Sequence, residues 1–486
     1  MKQSARLATI GLVLIATSAS GQVRNSSAVI QRAVSAMGGE LALRGLTATV
    51  VDFNSATFGI GQEETALSAA RGPIAWGRIS TDWRGGRRSL AQESRGVNGV
   101  NTRQRQVIAG DIGMGEANGA QAVVAPGVVS GVLRSMRQQP ERLLLRALDN
   151  PVAARALPPR MLRGETMDGV GFALGADTLS LYFDRPTGLL VVAEVLADDP
   201  VLGDRRTSTW YTRWQATGGV KLPRQIDVEA NGRPLSQTNI TAVAVNGALA
   251  DSVFAIADSI SSRAVRVSAA TAPSVTVQVV ELAPSVWRVE GGTHHSLLVE
   301  QAQQLVLVEA PQSAQRTNAV LDTIKARFPT KPIGVVVNTH HHWDHSGGVR
   351  AALAAGHRIV THQRNVAFVR GVASARKTVA PDALSRRPVA PVVTAVTDSL
   401  IIGAGDRRVV LYNLPSTHVE GILAAYVPGA RVLFASDVLT PGPTLAPLGS
   451  AELLAMVRAR GLAVDRFAGG HGTVVPWADV ERAARP

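Results

Sequence analysis

A chain of 486 residues exceeds the roughly 250–300 residues that one hydrophobic core supports, so two folded domains are expected. The hydrophobic content of 45% excludes a largely disordered protein, and the absence of cysteine excludes disulfides, thiolate metal ligands and cysteine nucleophiles. The net charge of +13 is interpreted as a bias toward arginine rather than as a surface for lipid headgroups or nucleic acid, because no dense basic run is interleaved with aromatic residues.

The first 21 residues have the pattern of an export signal. Lys2 and Arg6 form a charged start, residues 7–16 are apolar, and small residues follow for cleavage after Ala19 or Gly21. A membrane anchor is the alternative, but about ten apolar residues fall short of the roughly 20 that span a bilayer. We therefore expect a periplasmic or secreted mature protein without a transmembrane segment.

Region 22–256 is predicted to be an antiparallel β-meander domain with helices. Apolar spacing predicts a helix over Ser26–Ala36, and helical structure over 130–150 is expected to be broken or kinked at Pro140. Residues 54–125 are rich in glycine, serine and arginine and predict short strands and loops. The apolar period changes to two from Phe172 onward. Other strands are predicted at 48–53, 189–196, 210–214, 225–229 and 240–245, with turns at 184–188, 218–219 and 231–232.

Three stretches of this region carry a resemblance: DRPTGLLVVAEV at 184–195, the Gly-Asp pair at 203–204, and GGVKLPRQIDV at 218–228. Together they resemble the LolA/LppX-like periplasmic lipoprotein-carrier fold. The resemblance implies a curved sheet that closes over helices and holds a hydrophobic or lipid-like ligand in its concavity. The alternative is an accessory scaffold that shapes a catalytic cleft, which we favour because a fold alone does not give a function.

Residues 257–274 lose the periodicity, become small and polar, and predict a linker. A second domain, 275–486, begins with short apolar strands and continues from Gly334 with strands and helices in alternation. Every candidate metal ligand described below lies in this second domain. A fragment that starts near Ala272 is therefore expected to retain the metal site.

A cluster of metal-ligating residue types follows the apolar run 334–338, which is typical of a strand buried on both faces. His340 and His342 are two residues apart, so their side chains point the same way in an extended loop. Asp344 and His345 follow at the turn into a helix. These four potential ligands can therefore converge on a loop that leaves a strand end, where α/β proteins place their chemistry.

These residues give a complete H-x-H-x-D-H pattern, and three isolated residues follow it in order. His418 lies on a loop after the strand 409–412, Asp437 ends the strand Val432–Ala435, and His471 follows a helix. These motifs resemble the metallo-β-lactamase superfamily over residues 275–486, and GTHHSLLVE with NTHHHWDHSGG resembles its exported hydrolases. The resemblance implies an αβ/βα four-layer sandwich and an α+β protein overall.

The resemblance also implies a site for two divalent metal ions. The ligands carried over position by position are His340, His342 and His418 for the first ion, Asp344, His345 and His471 for the second, and Asp437 as the bridge. Imidazole and carboxylate donors suit zinc, and iron or manganese is compatible with the same donors.

Two departures from the family pattern bear on function. The superfamily usually has Asp at the end of the early strand LVLVEAP, where this chain has Glu309. An Asp there typically holds the metal loop by hydrogen bonds, and Glu can do so with a longer reach. True β-lactamases have Cys or Ser where this chain has Asp437. A bridging carboxylate is more similar to glyoxalase II and the lactonases, and it weakens an antibiotic-hydrolysis interpretation.

The function that the resemblance implies is hydrolysis of an ester, thioester, lactone or lactam in a small-molecule substrate, by a hydroxide held between the two ions. Asp344 would be catalytic, because it can orient the hydroxide and pass its proton to the leaving group. The alternatives are phosphodiester or sulfate-ester hydrolysis at the same site, or a non-enzymatic periplasmic carrier with a vestigial metal domain.

Other histidines are interpreted as structural. His341, like Trp343, lies between ligands and should point elsewhere. His294 and His295 are interpreted as turn residues, with a place in the cleft wall as the alternative. His362 is interpreted as structural, with support of a ligand from behind as the alternative.

Overall fold

The computed structural model describes residues 25–269 and 275–485, so the predicted export signal and the end of the predicted linker lie outside the described residues. Within these ranges a large antiparallel sheet with helices precedes a layered part of helices and sheets, which confirms the predicted α+β class. No helix of the described ranges is both long and apolar enough to cross a membrane.

A 13-stranded antiparallel sheet forms the body of the first part, with a small hairpin, β12 and β13, beside it. The strands are β1 Ala48–Thr57, β2 Ile74–Asp82, β3 Arg87–Arg95, β4 Asn101–Ala109, β5 Ile112–Ala117, β6 Ala120–Val123, β7 Ala154–Leu162, β8 Glu165–Leu174, β9 Asp177–Asp184, β10 Leu190–Asp199, β11 Gly203–Thr212, β12 Gln215–Thr217, β13 Val220–Leu222, β14 Gln225–Ala230 and β15 Arg233–Val245. Their order in the sheet is β6-β5-β4-β3-β2-β1-β15-β14-β11-β10-β9-β8-β7. Asn231 and Gly232 join β14 to β15 with φ values of 50° and 82°, which suit the twist of a tight hairpin.

Helices pack against this sheet and form its main core. The helices of the first part are α1 Ser26–Ala36, α2 Glu40–Arg44, α3 Pro126–Arg137, α4 Pro140–Asp149 and α5 Asp258–Ser261. Ile30 of α1 and Leu143 and Leu144 of α4 are buried together with Phe172 and Leu181 of the sheet. The architecture is therefore the predicted antiparallel meander with helices.

One prediction for this part is wrong in detail. Residues 54–125 form the end of β1 and all of β2 to β6, and β2, β3 and β4 are longer than the short strands expected. The sequence conceals these strands because they bury few side chains: in β2 only Ser80 and Thr81 are buried. The break predicted at Pro140 is confirmed: α3 ends at Arg137, and α4 begins at Pro140, which lacks an N–H and is favoured in the first turn of a helix.

The described part of the predicted linker is packed against the sheet. Ile260 of α5 is buried beside Val107 and Met114, and the Val267 N–H donates to the Asp111 carbonyl at 3.1 Å. These residues therefore extend the first domain, and the domain boundary itself stays a prediction.

Two stacked sheets form the second part of the chain. The first sheet contains, in this order, β16 Gln278–Ala283, β17 Val286–Glu290, β18 Ser296–Glu300, β19 Leu305–Val308, β20 Ile333–Val337, β21 Arg358–His362 and β22 Val393–Val396. The second contains, in this order, β23 Ser399–Ile402, β24 Val409–Leu414, β25 Ile422–Val427, β26 Val432–Ala435, β27 Arg466–Gly469 and β28 Val474–Pro476. The helices are α6 Ala314–Arg327, α7 Trp343–Ser346, α8 Val349–Ala354, α9 Val366–Ser374, α10 Ala383–Arg386, α11 Pro447–Ala459 and α12 Trp477–Ala483.

The order of the layers is helix, sheet, sheet, helix. Between the sheets, Val306 and Val337 of the first are buried with Leu411 and Phe434 of the second. Side chains of α6, α8 and α9 cover the outer face of the first sheet, and those of α11 and α12 cover the second. This is the αβ/βα four-layer sandwich that the sequence predicts.

Candidate metal centre

Most of the predicted site residues follow the ends of parallel strands, and His418 follows the antiparallel strand β24. Strands β19 to β22 run parallel, and so do β26 and β27. Glu309 follows β19, the motif that begins at His340 follows β20, Asp437 follows β26 and His471 follows β27. Carboxyl ends of parallel strands meet at one sheet edge, so a functional site is expected there.

All seven residues that the motif names come together, in two groups. The first group is His340, His342, His418 and Asp437, and the second is Asp344, His345 and His471 together with His294. In each group, one donor atom per residue lies within 4.8 Å of the others. This convergence of imidazole nitrogen and carboxylate oxygen is what a metal site requires.

The Asp437 carboxylate lies between the two groups. Its Oδ1 is 2.9 Å from His345 Nε2 and 3.2 Å from His471 Nε2. Its Oδ2 is 3.5 Å from His418 Nε2 and 3.9 Å from His340 Nε2. One oxygen therefore faces each group, as expected of a carboxylate that bridges two cations.

Two imidazole rings of the site form a hydrogen bond through the ring nitrogen that faces away from the cluster, so that the other nitrogen points into it. His342 Nε2–H donates to the Glu63 carbonyl at 3.0 Å, which leaves Nδ1 at 3.1 Å from His418 Nε2. His471 Nδ1–H donates to the Thr293 carbonyl at 2.8 Å. Outer hydrogen bonds of this kind select the tautomer and orientation of a metal-binding histidine.

The buried carboxylate of Glu309 supports both groups. Its Oε2 accepts a hydrogen bond from His345 Nδ1–H at 2.8 Å. Its Oε1 accepts from the Thr339 hydroxyl, and the Thr339 oxygen accepts in turn from His340 Nδ1–H at 3.0 Å. Glu309 therefore holds the metal loop, which is the role that the resemblance gives to Asp at this position.

Burial keeps the histidines of the first group neutral. It lowers the pKa of His340 well below the ordinary 6.5, and the neighbouring His345 lowers it further. Burial, helped by His342, lowers the pKa of His418 to about 4. Because neutral imidazole is the form that binds a metal ion, these rings are available as ligands at neutral pH.

In the second group, neighbouring carboxylates raise the pKa of His345 and of His471 by more than burial lowers it. Burial opposes a charge on His345, but the carboxylates of Glu309 and Asp437 raise its pKa to about 10. The hydrogen bond to Asp437 likewise raises the pKa of His471. The carboxylates of Glu309 and Asp437 therefore favour positive charge at this place, which a divalent cation would supply.

Asp344 is held at both oxygens. Gln62 Nε2 donates to its Oδ1 at 2.8 Å, and His294 Nε2 lies 3.2 Å from its Oδ2. Burial alone would raise the pKa of Asp344, but these bonds and the charge of His345 lower it well below its usual range. Asp344 is therefore ionised at neutral pH and has a defined orientation.

The donor set fits divalent metal ions. His340 Nε2 is buried and has no hydrogen-bond partner among the described residues. The Nε2 atoms of His345 and His471 are only 3.3 Å apart. A buried imidazole nitrogen without a partner, as at His340, costs free energy, and a cation that accepts its lone pair removes that cost.

Three groups at this site are not among the predicted ligands. His294, for which the cleft wall was the alternative to a turn, faces Asp344. Gln62 lies 282 positions before Asp344, and Glu63 contributes only its backbone carbonyl. No local motif marks such residues, because the fold alone brings them to the site. The histidine pair after a double glycine was the one available signal, for His294.

His341 and Trp343 belong to neither group, as predicted. Both line a separate cavity of about 360 Å³, and burial lowers the pKa of His341 to about 4. His362 is structural, since its Nε2–H donates to the Thr397 carbonyl at 3.2 Å.

Fold and donor set together define an αβ/βα metal-binding domain. Residues 289–478 match the family model described as the metallo-beta-lactamase superfamily. This part of the chain is therefore a metallo-β-lactamase superfamily domain.

The chain is also similar to one curated protein and to solved structures. It is 25% identical over 172 residues to the 2,4-dinitroanisole O-demethylase subunit alpha of Nocardioides sp. (strain JS1661), covering 35% of this chain and 48% of that protein, or about half its length. A metallo-beta-lactamase from Pontibacter korlensis shares 18% identity, with a TM-score of 0.35 and coverage of 43% of this chain and 97% of that one. A metallo-beta-lactamase from Hirschia baltica gives 18% identity, a TM-score of 0.34 and coverage of 43% and 96%.

Proposed function

We propose that the chain is an exported hydrolase that uses two divalent metal ions, expected to be zinc, to cleave an ester, thioester, lactone or lactam in a small-molecule substrate. The observation that carries the proposal is Asp437, whose two oxygens face two separate groups of imidazole donors. A site for one ion would not need a carboxylate between two groups. Export is proposed from the pattern of residues 1–21 alone.

Two such ions, when bound, supply Lewis-acid polarisation of a substrate oxygen and a water that is acidic near neutral pH. The protein's own groups provide orientation and proton transfer. Asp344 is ionised, its side chain is 37% exposed, and Gln62 and His294 hold its oxygens. It can therefore accept a proton during attack and deliver it to the leaving group.

Other hydrolytic reactions could use the same metal ligands and the same carboxylate of Asp344. Phosphodiester and sulfate-ester hydrolysis also require stabilisation of charge on oxygen. The curated relative is named for O-demethylation of 2,4-dinitroanisole, which adds aryl ethers to the candidate substrates. A carrier with a vestigial metal domain would not need the complete set of converging donors, so the intact groups support an enzyme.

For the first domain we propose the role of an accessory scaffold, with a hydrophobic or lipid-like ligand as the alternative. A cavity of about 140 Å³ lies among side chains that include Phe53, Ile79 and Met136. An apolar cavity of about 150 Å³ accommodates a molecule the size of benzene. The cavity is therefore too small for a lipid chain, which supports the scaffold.

A substrate screen tests the proposed function. Purified protein reconstituted with Zn²⁺, Fe²⁺ or Mn²⁺ should turn over a nitrophenyl ester, a thioester, a lactone or a β-lactam, and a chelator should abolish that activity. Nitrophenyl phosphodiesters, a sulfate ester and dinitroanisole form the comparison set. Turnover confined to the comparison set would overturn the carbonyl substrate class. If metal-loaded protein turned over none of these compounds, the result would contradict the proposed hydrolase function.

A further inference from the structure

A segment of the first domain, residues 58–68, contacts two loops that carry candidate metal ligands. The segment lies between β1 and β2 of the large sheet. The Gly61 carbonyl accepts a hydrogen bond from the Trp343 N–H at 3.1 Å, and the Glu64 carbonyl accepts one from the Glu420 N–H at 2.8 Å. Trp343 lies within the His340–His345 motif, and Glu420 lies two residues after His418. The segment therefore connects the loops of both sheets.

Within the same segment, residues 62 and 63 reach the candidate ligands themselves. The Glu63 carbonyl accepts the Nε2–H of His342 at 3.0 Å. The Gln62 amide donates to Asp344 Oδ1 at 2.8 Å. The first contact fixes the direction in which His342 Nδ1 points. The second is made to Asp344 Oδ1 only, so Asp344 Oδ2 has no contact with the Gln62 amide.

The side chain of Glu63 attaches segment 58–68 to the large sheet. The Glu63 carboxylate is buried, accepts the Gly61 N–H at 2.8 Å and forms an ion pair with Arg233 at the start of β15. Gly61 has a φ of +86°, and a Cβ there would lie 2.2 Å from the Trp343 indole. Only glycine therefore allows the segment to approach the metal loop this closely.

We propose that the metal centre is composite: segment 58–68 is a built part of it, with the Glu63 carbonyl and the Gln62 amide as positioning groups for His342 and Asp344. The inference rests on the proposed function. It replaces the expectation that a fragment starting near Ala272 keeps the metal site, since such a fragment lacks both groups. It also explains why the two domains belong to one chain: the first domain supplies groups that orient the metal ligands of the second.

Two matched glycine variants of the full chain test the approach of the segment. Gly61→Ala and Gly119→Ala introduce the same strain, because the φ values are +86° and +88°, but nothing lies within 4 Å of a Cβ at Gly119. Zn²⁺ affinity is measured by competition with a chromophoric chelator, with the melting temperature as a check on folding. Gly61→Ala should bind Zn²⁺ about 10–100-fold more weakly, the range for loss of outer hydrogen bonds, and Gly119→Ala should not.

A second pair of variants, Gln62→Ala and Gln121→Ala, tests the composite site if Gly61→Ala does not fold. Gln62→Ala removes the bond to Asp344, whereas Gln121→Ala removes a similar bond of an exposed glutamine to Glu116 at 3.0 Å. Gln62→Ala should weaken Zn²⁺ binding and change the visible spectrum of the Co²⁺-loaded protein without lowering its melting temperature. Gln121→Ala should leave both unchanged.

The outcomes separate this inference from the function on which it rests. Wild-type protein that binds neither Zn²⁺ nor Co²⁺ would overturn the proposed function. Wild-type protein that binds them, with Gln62→Ala matching it in affinity and in Co²⁺ spectrum, would overturn the composite site alone.

Discussion

Asp437→Ala should lower turnover by at least about two orders of magnitude, or about 2.7 kcal/mol in the barrier. The two Asp437 oxygens face the two donor groups, so the variant loses a negative charge between two cations and a ligand to each. Binding of the second ion should weaken as well. Turnover on any working substrate, together with the metal content of the same sample, measures both effects.

The control for this variant is Asp465→Ala. Asp465 is 55% exposed and pairs with Arg431 at 3.0 Å, near the start of β27 and away from the donor groups. Its replacement should leave turnover and metal content unchanged. Two ions and near-normal turnover in Asp437→Ala would show that the ligand assignment is wrong. His341→Ala is unsuitable as a control, because this ring is buried and its loss would leave a cavity.

Glu309→Gln should weaken metal binding about 10–100-fold, as outer hydrogen-bond partners of metal ligands do when lost. The carboxylate holds His345 directly and His340 through Thr339, and glutamine cannot accept at both ends. The lost hydrogen bond also costs about 0.5–1.5 kcal/mol of stability, since Ser436 Oγ, 3.0 Å from His345 Nδ1, remains as an acceptor. Chelator competition and denaturant unfolding measure the two losses.

The same variant should change how the stability of the metal-free protein depends on pH. Glu309 and Asp437 raise the pKa of folded His345 to about 10, above the ordinary 6.5. The charged ring therefore contributes stability that is fully present below pH 6.5 and is lost as the pH rises through 10. Glu309→Gln should reduce that loss, whereas Glu165→Gln, at an exposed position, should not. Identical pH profiles for the wild type and Glu309→Gln would contradict the role of Glu309.

The metal loop could be predicted because its chemistry is local in sequence. His340, His342, Asp344 and His345 lie within one short loop, and their spacing alone indicates convergence. The αβ/βα layers are what the family resemblance implies, and strands within them, such as Ile333–Val337, are apolar runs that can be recognised in the sequence.

The rest depends on contacts between distant segments. Gln62 and the Glu63 carbonyl reach the site only after β1 and β2 pair in the large sheet, and no residue pattern near them resembles a metal motif. The length of the strands in residues 54–125 could not be predicted because half-buried strands with arginine, serine and glutamine lack strong alternation. The role of Glu309 is what the family resemblance implies for its position after LVLV, but its link to His340 through Thr339 could not be predicted.

The number of metal ions bound by the full-length protein tests the central claim most directly. Purified protein, reconstituted with Zn²⁺ and freed of loosely bound metal, is analysed by mass spectrometry for metal per chain. The arrangement of two donor groups around Asp437 predicts close to two ions per chain in the wild type and fewer in Asp437→Ala. Wild-type protein with no metal above background would contradict the account.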